Sequence, residues 1–302
     1  MVAPSGEQLE IRADGYHAVV TECGASLRLL SYDERPLVLG WAEDEQTASG
    51  RGQLLAPWPN RIRDGRYSFE GADLQLPLSE PARGNASHGL VRWVAWRPEA
   101  HDEDSMSLTY RLMSQPGYPW TLDLRVRYRL SSSGLAVTFT ATNLSASSAP
   151  YAVGAHPYLC AGPGPVDGWE LTLPVATRLL VDDRLVPTGR EDVRGTELDF
   201  SAGRPIGATS LDTAFTDLTR DEDGRARVGL RDPHSGSGVE LWLDKNYGYL
   251  QVFTGDALPR HARESLAVEP MTAPADAFNT GDGLLVLAPD ESLSVGWGIV
   301  AV

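Results

Sequence analysis

From Trp120 to Leu130 an apolar side chain stands at every even position, with Thr, Asp, Arg, Arg and Arg between them. A period of two is the signature of a strand with one buried face and one wet face. Leu135, Val137, Phe139 and Ala141 repeat it against Thr138, Thr140 and Thr142, and Ser131-Ser132-Ser133-Gly134 joins the two runs. That arrangement predicts an antiparallel hairpin. Tyr67 and Phe69 lead through Glu70-Gly71-Ala72 to Leu74 and Leu76 in the same way. Val239, Leu241 and Leu243 alternate ahead of Tyr249–Phe253, as do Leu293, Val295, Trp297 and Ile299 near the C-terminus. No long stretch carries helical periodicity with its caps. The 30 glycines and 21 prolines are spread along the chain, as many short strands require many turns. Strand signals run from near residue 10 to residue 300, without a linker and without the internal repeat of a propeller. Ala161–Pro165 reads as a loop after a strand. The expectation is an all-β fold, a large antiparallel β-sandwich forming a single domain over residues 1–302.

Charge narrows the partners. With 26 Lys plus Arg against 41 Asp plus Glu, the net charge is −15. So acidic a chain repels nucleic acid and anionic membranes, which leaves a small molecule as the expected partner. Lys245 is the sole lysine and sits in a polar turn, a poor setting for Schiff-base chemistry. Cys23 and Cys160 permit one disulfide, which a chain of this size does not need. Met1–Arg12 lacks the basic and apolar regions of a signal peptide, and no segment approaches the roughly 20 apolar residues of a membrane span. A cytoplasmic protein is expected, of open oligomeric state.

Reactive side chains beside turn residues mark the candidate site. In Ala56-Pro57-Trp58-Pro59-Asn60-Arg61 two prolines stiffen the backbone, and Arg61 offers a planar fork of donors for hydroxyls or a carboxylate. A solvated surface loop is the commoner reading of such a segment. His88, in Asn85-Ala86-Ser87-His88-Gly89, reads equally as structural or as facing a ligand. His156 follows Tyr151-Ala152-Val153 and precedes Pro157, which holds its backbone extended at the end of an apolar strand. An oriented, partly buried imidazole meets the needs of a general acid or base. Glu269 closes Leu266-Ala267-Val268 just before Pro270, where a carboxylate is costly to desolvate unless it has partners or a task. Asp212 reads equally as a turn cap or a ligand contact. There is no Cys-His cluster of metal spacing, no phosphate loop and no G-x-S-x-G elbow.

In this order, Asn60-Arg61-Ile62 with Gly65 and Tyr67, Asn85 with His88-Gly89, Ala155-His156-Pro157-Tyr158, Asp212 with Phe215, and Glu269-Pro270 with Pro274 resemble the aldose 1-epimerase (galactose mutarotase) family. The resemblance covers about residue 50 to the C-terminus. It implies a galactose mutarotase-like supersandwich that interconverts sugar anomers without cofactor or metal. By resemblance Glu269 is the catalytic base and His156 the acid, while Arg61, His88 and Asp212 bind the sugar. A stacking aromatic is expected from Trp58 or Tyr158. Three alternatives stay open at this point: a sister group acting on hexose 6-phosphates, a glycoside hydrolase using Asp212 and Glu269, and a non-catalytic sugar-binding module of the same fold.

Overall fold

The computed structural model describes residues 2–302, and the alternating segments become strands where their pattern predicts. Leu122–Ser131 and Gly134–Asn143 pair antiparallel along their full lengths. Leu122, Leu124, Val126, Tyr128 and Leu130 are buried, and Arg125, Arg127 and Arg129 face solvent. The first strand begins two residues later than the alternation suggested. Trp120 instead packs edge-on against Tyr118 and Phe69, its indole N–H donating to Ser147 Oγ at 3.1 Å.

The turn of this hairpin requires Gly134. Its φ is +89°, and a Cβ there would lie 2.3 Å from the carbonyl oxygen of Ile299 in the adjacent strand. Gly134→Ala is expected to cost about 1–2 kcal/mol through the left-handed backbone alone, with more lost as the neighbouring strand is displaced. A urea midpoint measures it, and an unchanged midpoint would contradict the account.

Two large sheets result, with every strand pair antiparallel. One has nine strands, and the C-terminal strand Ser292–Ala301 lies between Gly134–Asn143 and Gly238–Leu243 near its middle. The other runs Pro187–Asp192, Thr177–Val181, Asp212–Thr216, Tyr249–Phe253, Leu266–Met271, Gly154–Ala155 and Leu54–Leu55, with Tyr158–Leu159 also paired to Leu266–Met271. One buried apolar cluster joins the sheets, taking Val126, Phe139 and Trp297 from the first and Phe215, Val252 and Val268 from the second. That shared core makes the sandwich. The N-terminal segments Gln8–Ala13, Tyr16–Thr21, Leu27–Tyr32 and Arg35–Pro36 form a further four-stranded meander. Helix among the described residues is confined to Ala277–Thr280 and a 3₁₀ turn at Val166–Gly168. None of it is long and apolar enough to cross a membrane. Cys23 and Cys160 are free thiols.

The strand Leu266–Met271 is buried along its whole length. Leu266 and Val268 enter the common core, while Met271 joins Leu179, Ala214 and Tyr249 in a small cluster on the opposite face. Alternation therefore places Glu269 on that second, outer face.

Candidate active site

The register of the second sheet assembles the site. Gly154 pairs with Met271 and Tyr158 with Ala267, so the same register carries His156 directly opposite Glu269. Across the other edge of that strand Glu269 pairs with Gln251, and Gln251 pairs with Ala214, two residues from Asp212. One outer face thus carries His156, Glu269, Gln251 and Asp212 as neighbours. His156 stands at the end of the short strand Gly154–Ala155, as its sequence suggested. It lies in a break between Gly154–Ala155 and Tyr158–Leu159, where Pro157 lacks the N–H that a ladder needs. Its backbone is held by the Gly52–Gln53 segment instead: its N–H donates to Gln53 O at 3.0 Å, and Gly52 N–H donates to its carbonyl at 2.9 Å.

A ribbon made by Arg61–Arg63 and Asn85–Ser87 covers this face. Asn60 Nδ2 donates to Gln251 Oε1 at 3.3 Å and ties ribbon to sheet. Gln251 Nε2 in turn donates to Asp212 Oδ1 at 2.7 Å. His88 takes a left-handed φ of 61°, and its Nδ1 accepts the Asn60 backbone N–H at 3.2 Å. Its Nε2 therefore carries the ring proton and is a donor. Arg61 grips Glu80 with Nε at 2.7 Å and Nη2 at 2.9 Å, and its Nη1 donates to Asn60 Oδ1 at 3.2 Å. Glu80 also receives Arg83 at 3.0 Å and Asn85 at 3.1 Å. The fork read in the sequence is thus partly occupied by Glu80.

Between ribbon and sheet lies a cavity of about 390 Å³ whose lining includes Arg61, His88, His156, Asp212, Gln251 and Glu269. At its floor His156 Nε2 stands 3.3 Å from Glu269 Oε1, both side chains buried. The Tyr158 ring stacks on His156 at 5.1 Å with its hydroxyl donating to Ser49 O, and His88 meets it edge-on at 5.6 Å. Glu269 Oε2 and His156 Nδ1 are buried without a hydrogen-bond partner. Burial pushes the Glu269 carboxyl well above the usual carboxylate range, and the nearby charge of Asp212 adds to this. Burial, with the positive charge of Arg92, pushes His156 below the usual imidazole range. His88 is pushed down as well, by burial and then by His156 and Arg92. The floor is therefore a carboxyl and an imidazole in contact, with burial disfavouring the charged form of each.

The model of the family described as aldose 1-epimerase matches residues 7–298 of this sequence. The chain belongs to the aldose 1-epimerase family. It is 34% identical over 284 residues to an uncharacterized Escherichia coli protein, YihR, covering 94% of this chain and 89% of that protein. It is 27% identical over 279 residues to rat galactose mutarotase, covering 84% and 80%. Among solved structures, an aldose epimerase homologue from Caenorhabditis elegans superposes with a TM-score of 0.87 at 21% identity, over 98% of each chain. A galactose mutarotase-like protein from Clostridium acetobutylicum gives 0.85 at 19% identity, over 97% and 94%. These two likenesses bear on the fold.

In this aldose 1-epimerase family member all five side chains singled out in the sequence line one cavity. Of the two aromatics expected near the sugar, Tyr158 lines the cavity and Trp58 does not. Trp58 is buried in the core beside Phe278, and Tyr158 is engaged with His156. Trp93, half exposed, and Phe253 are further aromatics in the cavity lining. Glu80, Gln251, Arg92 and Gly50 were also missed, and nothing in their local sequence marks them. Among the described residues no three His, Cys, Asp or Glu side chains are grouped to hold a metal ion.

Proposed function

We propose that this protein interconverts the α and β anomers of a free aldohexose by general acid/base ring opening and closure. The observation that carries the reading is the contact of Glu269 with His156 on the floor of a sugar-sized cavity. A pyranose is a cyclic hemiacetal. Opening it removes the proton of the C1 hydroxyl, donates one to the ring oxygen and breaks the bond between C1 and that oxygen. Glu269 takes the first proton and His156 supplies the second. Rotation about C1–C2 exposes the other carbonyl face, and the transfers then run backwards to close the ring.

Each transfer leaves the pair with one proton in total. Opening starts from carboxylate with imidazolium and ends with carboxylic acid and neutral imidazole; closure restores the first form. The shifts on the two groups favour the second form in the empty cavity. A proton hop across the 3.3 Å contact reaches the first without drawing on solvent. The unpartnered Glu269 Oε2 and His156 Nδ1 suit a site whose polar partners arrive with the ligand.

Arg61, His88 through Nε2–H and Asp212 bind hydroxyls around the ring, and Trp93 faces its apolar side. A free sugar rather than a phosphate is favoured because the Arg61 fork is already engaged by Glu80, which also takes Arg83. Burial alone would push Glu80 up, but the bonds from Arg61, Asn85 and Arg83 hold it below the usual carboxylate range. Glu80→Gln frees Arg61 to move and is expected to raise KM about tenfold with kcat little changed, the pattern of lost uniform binding. An equal fall in kcat would remove Arg61 from a binding role. The reading as a whole is tested by polarimetry on freshly dissolved α-glucose and α-galactose. Acceleration supports it; binding without acceleration points to a sugar-binding module, and release of reducing sugar from a glycoside to a hydrolase.

A further inference from the structure

A second cavity adjoins the first. It encloses about 410 Å³ against about 390 Å³ for the site, and Ser49, Tyr158 and Leu258 belong to the walls of both. The shared wall lies on one flank only. Tyr158 stacks on His156 and is tied through its hydroxyl to Ser49, whereas Glu269, Arg61, His88 and Asp212 line the first cavity alone. The second cavity therefore opens behind Tyr158, the ring that stacks on His156.

That placement selects a position on the substrate, resting on the reading of Glu269 and His156 given above. A ring with C1 at Glu269 and its oxygen at His156 has C5 on the far side of that oxygen. The exocyclic C6 then points past His156 toward the shared wall. A substituent on O6 is the group that enters the second cavity.

The chemistry of the walls matches a second sugar. Glu45, Gln46 and Arg51 offer acceptors and donors, and Leu39, Tyr158 and Pro259 offer apolar surface. Sugars present hydroxyl edges and apolar faces together, and sites of this size and mixed lining are built for such ligands. Arg51 is half-buried, gives one N–H to Gly40 O at 2.9 Å, and has no carboxylate in ion-pair range among the described residues. Glu45 and Arg260 stand on the same wall, and the breadth of apolar surface from Leu39, Tyr158, Leu258 and Pro259 favours a glycosyl group over a phosphate. We propose that the second cavity is a glycosyl subsite, and that the protein acts on reducing disaccharides linked through O6 of the reducing hexose.

The test compares sugars that share a reducing glucose: melibiose and isomaltose are 6-linked, lactose and maltose 4-linked. In polarimetric assays the 6-linked pair is expected to exceed glucose in kcat/KM by about tenfold, with the 4-linked pair no better than glucose. Ala48→Trp fills the second cavity from an exposed loop position. It is expected to bring melibiose and isomaltose down to the glucose value while glucose itself changes by less than about twofold. Gln46→Trp is a second filler should the first fail to fold, with thermal melting as the control. Indistinguishable 6- and 4-linked sugars, or an equal loss on glucose in the filled variants, overturns the subsite and leaves the mutarotase reading standing. Glucose 6-phosphate outpacing melibiose overturns it in favour of an anion site. Absence of activity on glucose and every disaccharide overturns the mutarotase reading itself.

Discussion

Glu269→Gln is expected to slow mutarotation by about 10²–10⁴-fold, the range general-base transfer supplies. The amide keeps a carbonyl oxygen to face His156 Nε2 but cannot take the C1 hydroxyl proton. His156→Asn should fall into the same range, and the double variant should be little worse than either alone, because the two groups act as one proton-carrying unit. The pH profile follows from the shifts. Burial raises Glu269 and lowers His156, so the one-proton state of the pair occupies a pH window between the two shifted groups. Activity is expected to fall on the alkaline side of that window as the last proton leaves, and on its acid side as a second one binds.

Stability separates this role from a structural one. A carboxyl whose folded pKa lies above its unfolded value binds more protons in the native state, so stability falls as pH rises from the usual carboxylate range toward the raised value. At neutral pH and above, Glu269 therefore weighs against folding. Glu269→Gln should melt no lower than the wild-type protein there, with the difference growing as pH rises. A variant that retains activity ends the acid/base mechanism. One that loses activity only by unfolding assigns Glu269 to the structure.

Gly50→Ala carries the second large effect, although residue 50 touches no substrate in the mechanism. Gly50 has φ +76°, and a Cβ there would lie 2.5 Å from Cδ2 and 2.9 Å from Nε2 of His156. Tyr158, stacked parallel to the ring within 7°, limits how the imidazole can yield. Its Nε2 must then turn away from Glu269. A displacement of this size in a reacting group costs on the order of 10² in rate, so kcat should fall by about that factor with KM less affected. The left-handed backbone adds about 1–2 kcal/mol of destabilisation, which thermal melting reads separately. A folded Gly50→Ala protein with kcat within about twofold of wild type would show that His156 need not hold its orientation.

Much of this protein is written locally. The period-two runs at Leu122–Ser131, Gly134–Asn143 and Ser292–Ala301 became strands because a half-buried sheet surface needs that alternation and little else. His156 and Glu269 were visible because each stands beside a proline after an apolar run, where a polar side chain is costly without a purpose. The pairing that joins them was not visible. Pro157 and Pro270 interrupt the pattern at the two positions where the register matters, and a register between segments more than a hundred residues apart leaves no trace in either. Glu80, Gln251 and Gly50 are ordinary residues in ordinary loops and strands; they acquire a task only when the ribbon closes over the sheet. The sequence by itself determined which stretches are strands and which side chains are candidates for chemistry, since both are properties of neighbours along the chain. Tertiary structure alone decided which of those side chains meet, because antiparallel register and the burial of a carboxylate are set by partners distant in sequence.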